Sequence, residues 1–324
     1  MDSSPTRRRT LQLGGTAVVA GLAGCLGDDL PEGTLDFDGL DHVDEAALPD
    51  QQNYRTDERP FPKYRRYDAD DADIALILLH TAAFDSRLLQ PLATAISEAG
   101  VAHVVTPDLR GHGPNPENRG DLKYIGQYED DLRQLVDSVG LMYPDANVVI
   151  GGHGTGGGVV VRFATPPTGS LADGYLLLAP YLGPDGPTTR QNLGGWANFY
   201  GDRIVMLRVL TGFGLDNYSG MTTVEFDIPA SVRDDSTTLE HTYRLMASYT
   251  PAEGAVSEMV DAPTLTVAGT ADVTADAAAY EPLFADREAA SVETLDGVSH
   301  LDTVLGDAAV KPIVDWLRAL PKSL

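Results

Sequence analysis

From about residue 73 onward the chain alternates between two hydrophobic rhythms. Short, nearly unbroken apolar runs, "DIALILLH", "AHVVTPDL", "NVVIGGH", "GYLLLAPYL", "APTLTVAGT" and "SVETLDG", have the length and density of strands buried on both faces of a parallel sheet. Between them, "LLQPLATAISEAG", "GQYEDDLRQLVDSVGLMY" and "GGGVVVRFA", and at the end "AAVKPIVDWLRALP", are long enough and periodic enough for helices. Strand and helix in alternation predict an α/β fold, a doubly wound and mostly parallel sheet. The alternation breaks once. Gly183 to Asp261 intervenes where a loop of a few residues is usual, which predicts an inserted cap at about 183–261. This insertion carries Trp196, Phe199, Tyr200, Phe213, Tyr218, Tyr243 and Tyr249, rings that either line an apolar pocket or form the cap's own core.

Residues 26–62 show neither rhythm. They are acidic, contain proline and have no sustained apolar period, so they read as a tether whose far end packs on a domain of residues 63–324. Residues 1–25 are different again. Arg7, Arg8 and Arg9 precede "TLQLGGTAVVAGLAG", which looks like a twin-arginine export signal, and Leu22-Ala23-Gly24-Cys25 looks like a lipoprotein cleavage box with Cys25 as the lipidated residue. The apolar run is shorter than the roughly 20 residues a membrane span needs. The expected location is therefore the outer face of the cytoplasmic membrane, held there through lipid on Cys25. One lipid chain anchors only marginally, so stable anchoring needs a second chain on the same residue.

Cys25 is the only cysteine, which excludes disulfides and cysteine-based metal sites. The net charge is -25, and the lysines are confined to Lys63, Lys123, Lys311 and Lys322. Such an acidic, lysine-poor surface resembles that of proteins from salt-adapted microbes, where solvated carboxylates keep the chain in solution. It argues against a nucleic-acid partner, which requires a basic face. Neither H-E-x-x-H nor a comparable ligand spacing is present, so no metal and no cofactor is expected. Gly152, Gly154 and Gly157 satisfy G-x-G-x-x-G. No acidic residue follows at the strand end where a dinucleotide site needs one, and the pattern is set aside.

The stretch "VVIGGHGTGGGVVVRF", Val148 to Phe163, has the layout of a strand, a tight turn and a helix start. Serine hydrolases hold their nucleophile in such a turn as G-x-S-x-G. With Gly152 and Gly156 as the flanking small residues, the serine position is Gly154. Shifting the frame by one would make Thr155 the nucleophile but put His153 where a small residue must sit.

Taken in order, "LILLHTAAFDS", "TPDLRGHG", "GGHGTGGG", "VAGTADV" and "DGVSHLDT" resemble the α/β-hydrolase fold family, in particular its monoglyceride-lipase, lysophospholipase and serine-aminopeptidase-like branch. The resemblance covers roughly Asp73 to the C-terminus, with the cap aligned least securely. It implies an ester or lipid hydrolase in which Asp272 orients His300 as general base, in the chain order nucleophile, acid, histidine that this fold uses. Asp276 is the nearest competitor for the acid. The oxyanion hole is implied at the backbone N–H groups of Ala82 and Thr155. Two departures stand out. The nucleophile position is glycine, and the histidine-glycine pair that usually follows the first long strand is His80-Thr81. His80, Asp108, Arg110 and His112 are expected to shape the surrounding loops.

Two functions from different classes follow. In the first, the space left by the absent hydroxymethyl group at Gly154 admits a water that His300 activates, and the protein slowly hydrolyses carboxylic esters. In the second, the protein is non-catalytic and binds a small apolar or acyl-ester ligand, or a partner, beneath its cap.

Overall fold

Ile74 to Leu79 and Asn147 to His153 are buried at every position, the burial expected of strands covered on both faces. A computed structural model describes residues 34–57, 59, 61–114, 116–190 and 193–321. It contains the strands β1 (Gln52–Asn53), β2 (Lys63–Tyr67), β3 (Ile74–Leu79), β4 (His103–Pro107), β5 (Asn147–His153), β6 (Gly174–Leu178), β7 (Ala197–Phe199), β8 (Thr222–Phe226), β9 (Glu240–Thr242), β10 (Thr264–Gly269) and β11 (Ala290–Leu295). The helices are α1 (Gln90–Glu98), α2 (Gln127–Met142), α3 (Thr155–Phe163), α4 (Gly201–Gly212), α5 (Tyr243–Tyr249), α6 (Ala255–Glu258), α7 (Tyr280–Phe284), α8 (Asp302–Leu305) and α9 (Val310–Ala319).

The main sheet has the order β1-β2-β4-β3-β5-β6-β10-β11, parallel from β4 to β11, with β2 antiparallel to β4 and β1 antiparallel to β2. This is the doubly wound, mostly parallel α/β sheet read from the alternating runs, arranged as the motif resemblance implied, and every run named there holds all or all but one residue of its strand or helix. The polar strand β2, "KYRRY", escaped the pattern. Only Tyr64 and Tyr67 turn inward, too few apolar positions to signal a strand, and the pairing Tyr64↔Pro107 through Tyr67↔Val104 is decided by the neighbouring strand.

The expected tether over 26–62 packs on the domain not only at its far end, as anticipated, but from residue 34 onward. Leu35 is buried and its N–H donates to Gly194 O, His42 Nδ1 reaches Leu305 O at 3.0 Å, and Tyr54 is buried with its N–H on Pro62 O. A few apolar residues separated by acidic ones hold this arm to the domain, a spacing with no regular period for sequence reading to find. Residues 1–25, read as an export signal ending at Cys25, lie outside the described residues. Among the described residues no helix is long and apolar enough to cross a membrane.

The insertion between β6 and β10 is a cap with its own antiparallel sheet, β7-β8-β9, and helices α4 to α6. It is tied down by Thr238 N–H on Ala83 O and Thr242 N–H on Gly120 O, both 2.9 Å, and by Arg244 Nε donating to Asp121 Oδ1 at 2.7 Å. The aromatic residues divide. Trp196, Phe199 and Tyr249 line a cavity, whereas Phe213 and Tyr218 are exposed and Tyr200 stacks under Arg203.

Helix α3 leaves β5 so tightly that it presses against β3. A Cβ on Gly156 would stand 2.5 Å from His80 O and 2.7 Å from Leu79 O. These are backbone atoms that cannot step aside, so Gly156→Ala should lower the unfolding free energy by about 1–3 kcal/mol, measurable as a shift of the denaturation midpoint.

Candidate active site

Glycine at 154 is first a matter of backbone geometry. The residue has φ +53° and ψ −117°, a conformation in which a side chain is strained by about 1–3 kcal/mol. Its N–H donates to Leu178 O at 3.0 Å, and its carbonyl accepts from Tyr181 N–H at 2.8 Å and Gly158 N–H at 3.2 Å. The turn thus sits at the carboxyl end of β5 and opens α3, the elbow position expected for Gly154. Thr155 is the first residue of α3, not the elbow. His153 turns the other way, into the interior, where Nε2–H donates to His300 O at 3.0 Å. Burial, with the charge of His300 next in weight, pushes its imidazole well below the ordinary value, so it stays neutral and structural.

The structure brings His300 and Asp272 together. His300 Nδ1–H donates to Asp272 Oδ2 at 2.7 Å, and the other carboxylate oxygen accepts from Thr274 N–H (2.7 Å), Thr274 Oγ1–H (2.8 Å) and Ala275 N–H (3.0 Å). Asp272 is wholly buried. Burial alone would raise its carboxyl, but the His300 charge and the hydrogen bonds from His300 and Thr274 outweigh that and hold it below the usual carboxylate range. With Nδ1 committed to the carboxylate, Nε2 is left as the proton acceptor, and it points at the elbow: a Cβ built on Gly154 would lie 3.2 Å from it. Asp276 is not part of this arrangement. Its carboxylate is half exposed and caps Ala278 N–H.

The space vacated at Gly154 is occupied. A Cβ there would stand 2.9 Å from Thr81 Cβ and closer still to Thr81 Oγ1. The volume that sequence reading assigned to a water therefore belongs to the Thr81 hydroxyl, which accepts a hydrogen bond from Thr155 N–H at 3.3 Å. Thr155 N–H, one of the two expected oxyanion donors, is so engaged. The other, Ala82 N–H, has no backbone or side-chain acceptor among the described residues, and both residues line the same cavity. Sequence reading noted Thr81 only as a departure from glycine. The signal that pairs it with Gly154 is the double exchange itself, a hydroxyl gained in one loop and lost in the other.

That cavity has a volume of about 40 Å³. Its floor is Thr81, Gly154 and His300, and its roof is Trp196, Phe199, Phe226 and Tyr249 from the cap.

The serine aminopeptidase (S33) family profile matches residues 70–301. The chain belongs to this family of α/β-hydrolases. No match was found among curated protein sequences. Among solved structures, a monoglyceride lipase from Saccharomyces cerevisiae in complex with a substrate analog superimposes with a TM-score of 0.68 at 14% identity, covering 86% of this chain and 98% of that one. A monoacylglycerol lipase from Paleococcus ferrophilus gives 0.59 at 18% identity over 80% and 99%. A carboxyl esterase from Bacillus coagulans in complex with glycerol gives 0.62 at 16% over 84% and 98%. At these identities the likeness is one of fold.

Within this α/β-hydrolase the other singled-out residues build the loops. Asp108 accepts from Ser86 N–H at 3.0 Å, and Arg110 pairs with Asp131 through two hydrogen bonds of 2.7 and 2.9 Å. His80 Nε2 accepts from Leu109 N–H at 2.9 Å, which places its proton on Nδ1, and Nδ1–H donates to Thr81 O at 2.8 Å. His112 meets His241 of the cap, Nε2 to Nε2 at 3.0 Å, and His241 Nδ1 lies 3.3 Å from the Tyr249 hydroxyl on the cavity wall. His241 went unremarked in the sequence because nothing local distinguishes it. Burial pushes it down to about 3 and pushes His112 well below its ordinary value.

A histidine that is neutral when folded and free to charge when unfolded lowers stability as pH falls. The unfolded chain takes up a proton below about pH 6.5 that the folded one refuses. Unfolding free energy should therefore drop by up to about 1.4 kcal/mol per pH unit for each such histidine as pH falls from about 6.5. For His241 the loss should continue to about pH 3. Denaturation midpoints of His241→Asn across this range should show a shallower slope than the natural protein.

Proposed function

We propose that this protein is a carboxylic ester hydrolase acting on short acyl esters beneath its cap, with Asp272 orienting His300 and His300 carrying the proton of the attacking group. The observation that carries the reading is the 2.7 Å contact between His300 Nδ1 and a buried Asp272, with Nε2 facing the elbow on the floor of an apolar cavity. A buried carboxylate costs several kcal/mol unless paired and hydrogen-bonded. Here four hydrogen bonds hold it in the one orientation that fixes the imidazole for proton transfer, an arrangement a ligand-binding pocket does not need. The narrow cavity, roofed by aromatic side chains, favours a small acyl group over a long chain.

The binding-protein reading differs in one respect: there, ligand affinity is indifferent to His300. In hydrolysis of p-nitrophenyl acetate, butyrate and laurate in concentrated salt, the acetate and butyrate should turn over faster than the laurate. His300→Ala should lower kcat/KM by about 10³-fold or more. Absence of turnover in the natural protein would leave the binding reading.

The N-terminal arginines, the short apolar run and Cys25 support an exported protein, lipid-anchored at the outer face of the cytoplasmic membrane of a salt-adapted microbe. Cys25→Ser should then move the protein from the membrane to the soluble fraction of fractionated cells.

A further inference from the structure

We infer that the nucleophile of this site is the hydroxyl of Thr81, carried by the loop after β3 into the place that serine occupies at the elbow. The inference rests on the ester-hydrolase reading above and names the group that His300 activates.

The first observation is steric. Thr81 Oγ1 lies well inside contact distance of the point where a Cβ at Gly154 would stand, and His300 Nε2 is 3.2 Å from that same point. Residues 81 and 154 compete for one volume. A serine at 154 requires a small residue at 81, and a threonine at 81 requires glycine at 154. The chain holds the second combination, so the hydroxyl that faces the elbow is carried by residue 81, and it and His300 Nε2 both approach the same point over Gly154.

The second observation is that Thr81 is clamped. Its carbonyl accepts from His80 Nδ1–H at 2.8 Å, and His80 is held in that tautomer by Leu109 N–H. Its hydroxyl oxygen accepts from Thr155 N–H, the amide at the start of α3, at 3.3 Å. An amide at a helix start stabilises negative charge, here the charge that develops on the oxygen as it loses its proton. The hydroxyl is otherwise without an acceptor among the described residues, and His300 Nε2 is without a donor. The two make no direct hydrogen bond at rest, so the inferred step requires Thr81 to turn about its Cα–Cβ bond toward the imidazole, as catalytic contacts commonly tighten only with substrate bound.

The third observation is the oxyanion site. Ala82 N–H, one residue on from the hydroxyl, lines the cavity with no acceptor among the described residues. It is the donor available to the oxygen of an ester carbonyl lying above Thr81.

The chemistry balances without a co-reactant other than water. Thr81 Oγ1 bonds to the ester carbonyl carbon while its proton passes to His300 Nε2, and the carbonyl oxygen becomes an oxyanion on Ala82 N–H. As the carbonyl re-forms, the C–O bond to the alcohol breaks and His300 returns the proton to the departing alkoxide. The acyl group is now an ester of Thr81. A water then gives its proton to His300 and its oxygen to the acyl carbon, and the Thr81 oxygen leaves with the proton from His300, releasing the carboxylic acid.

The experiment combines turnover with covalent labelling. The natural protein, Thr81→Ser, Thr81→Val, His300→Ala and the double variant Thr81→Gly/Gly154→Ser are assayed with p-nitrophenyl acetate, then treated with a fluorophosphonate and mapped by peptide mass. The expected result is turnover and labelling of the natural protein on the peptide containing Thr81. Both should be retained in Thr81→Ser and lost by 10³-fold or more in Thr81→Val, which keeps the shape of the side chain and thus the fold. Turnover that survives in Thr81→Val but not in His300→Ala overturns the inference and leaves the ester-hydrolase reading standing, with a water as the attacking group. No turnover and no label in the natural protein overturns both. Strong activity gained only in the double variant would then show Thr81 to be a plug in a silenced serine site.

Discussion

One volume, large enough for a single small side chain, lies between the loop after β3 and the turn from β5 into α3, and the character of this site depends on which chain segment fills it. The two segments are brought together by the parallel pairing of β3 with β5, which sets Leu79 opposite Gly152. Neither can retreat. The turn is locked by the hydrogen bonds of Gly154 to Leu178, Tyr181 and Gly158, and the loop is held by His80. Close packing leaves no slack for two side chains in this space, so a substitution at either residue is felt at the other.

The electrostatics around this volume are arranged to turn one proton acceptor toward the elbow. Asp272 is ionised and fully satisfied, His153 is neutral with Nε2–H on the His300 carbonyl and Nδ1 buried without a partner among the described residues, and His80 has both nitrogens engaged. His300 Nε2 is the acceptor that faces Gly154. An imidazole whose other nitrogen donates to a fixed carboxylate keeps one tautomer and one direction. The same logic of neutral, buried rings extends upward through His112 and His241 to Tyr249, so that the cap is joined to the site by groups that tolerate no added charge.

The cap sets the scale of the cavity. Trp196 and Phe226 pack ring against ring at 4.9 Å, and Phe226 meets His241 edge to face at 4.7 Å. Roof and histidine link are therefore one packed unit. Phe226 comes from a strand whose alternating polar and apolar residues resemble any surface ribbon, and its part in the site follows from the packing that sets it in the cavity wall beside Trp196 and Tyr249.

The amino-acid sequence by itself determined the sheet, its helices, the inserted cap and the elbow. Each is written in local periodicity, in the length of apolar runs, or in a backbone conformation that glycine alone adopts without strain. The resemblance of its motifs to a known family also brought Asp272 and His300 into view, in the loops after β10 and β11. The sequence left β2 and most of the arm from residue 34 unread, since their apolar positions are too sparse for any period and their pairing depends on a partner already in place. The occupant of the elbow was decided by tertiary structure. From the sequence, Gly154 marked a missing group and Thr81 a misplaced one, separated by two strand units. Folding sets them against each other within van der Waals distance, and steric exclusion between two points far apart in the chain leaves no trace in either segment alone.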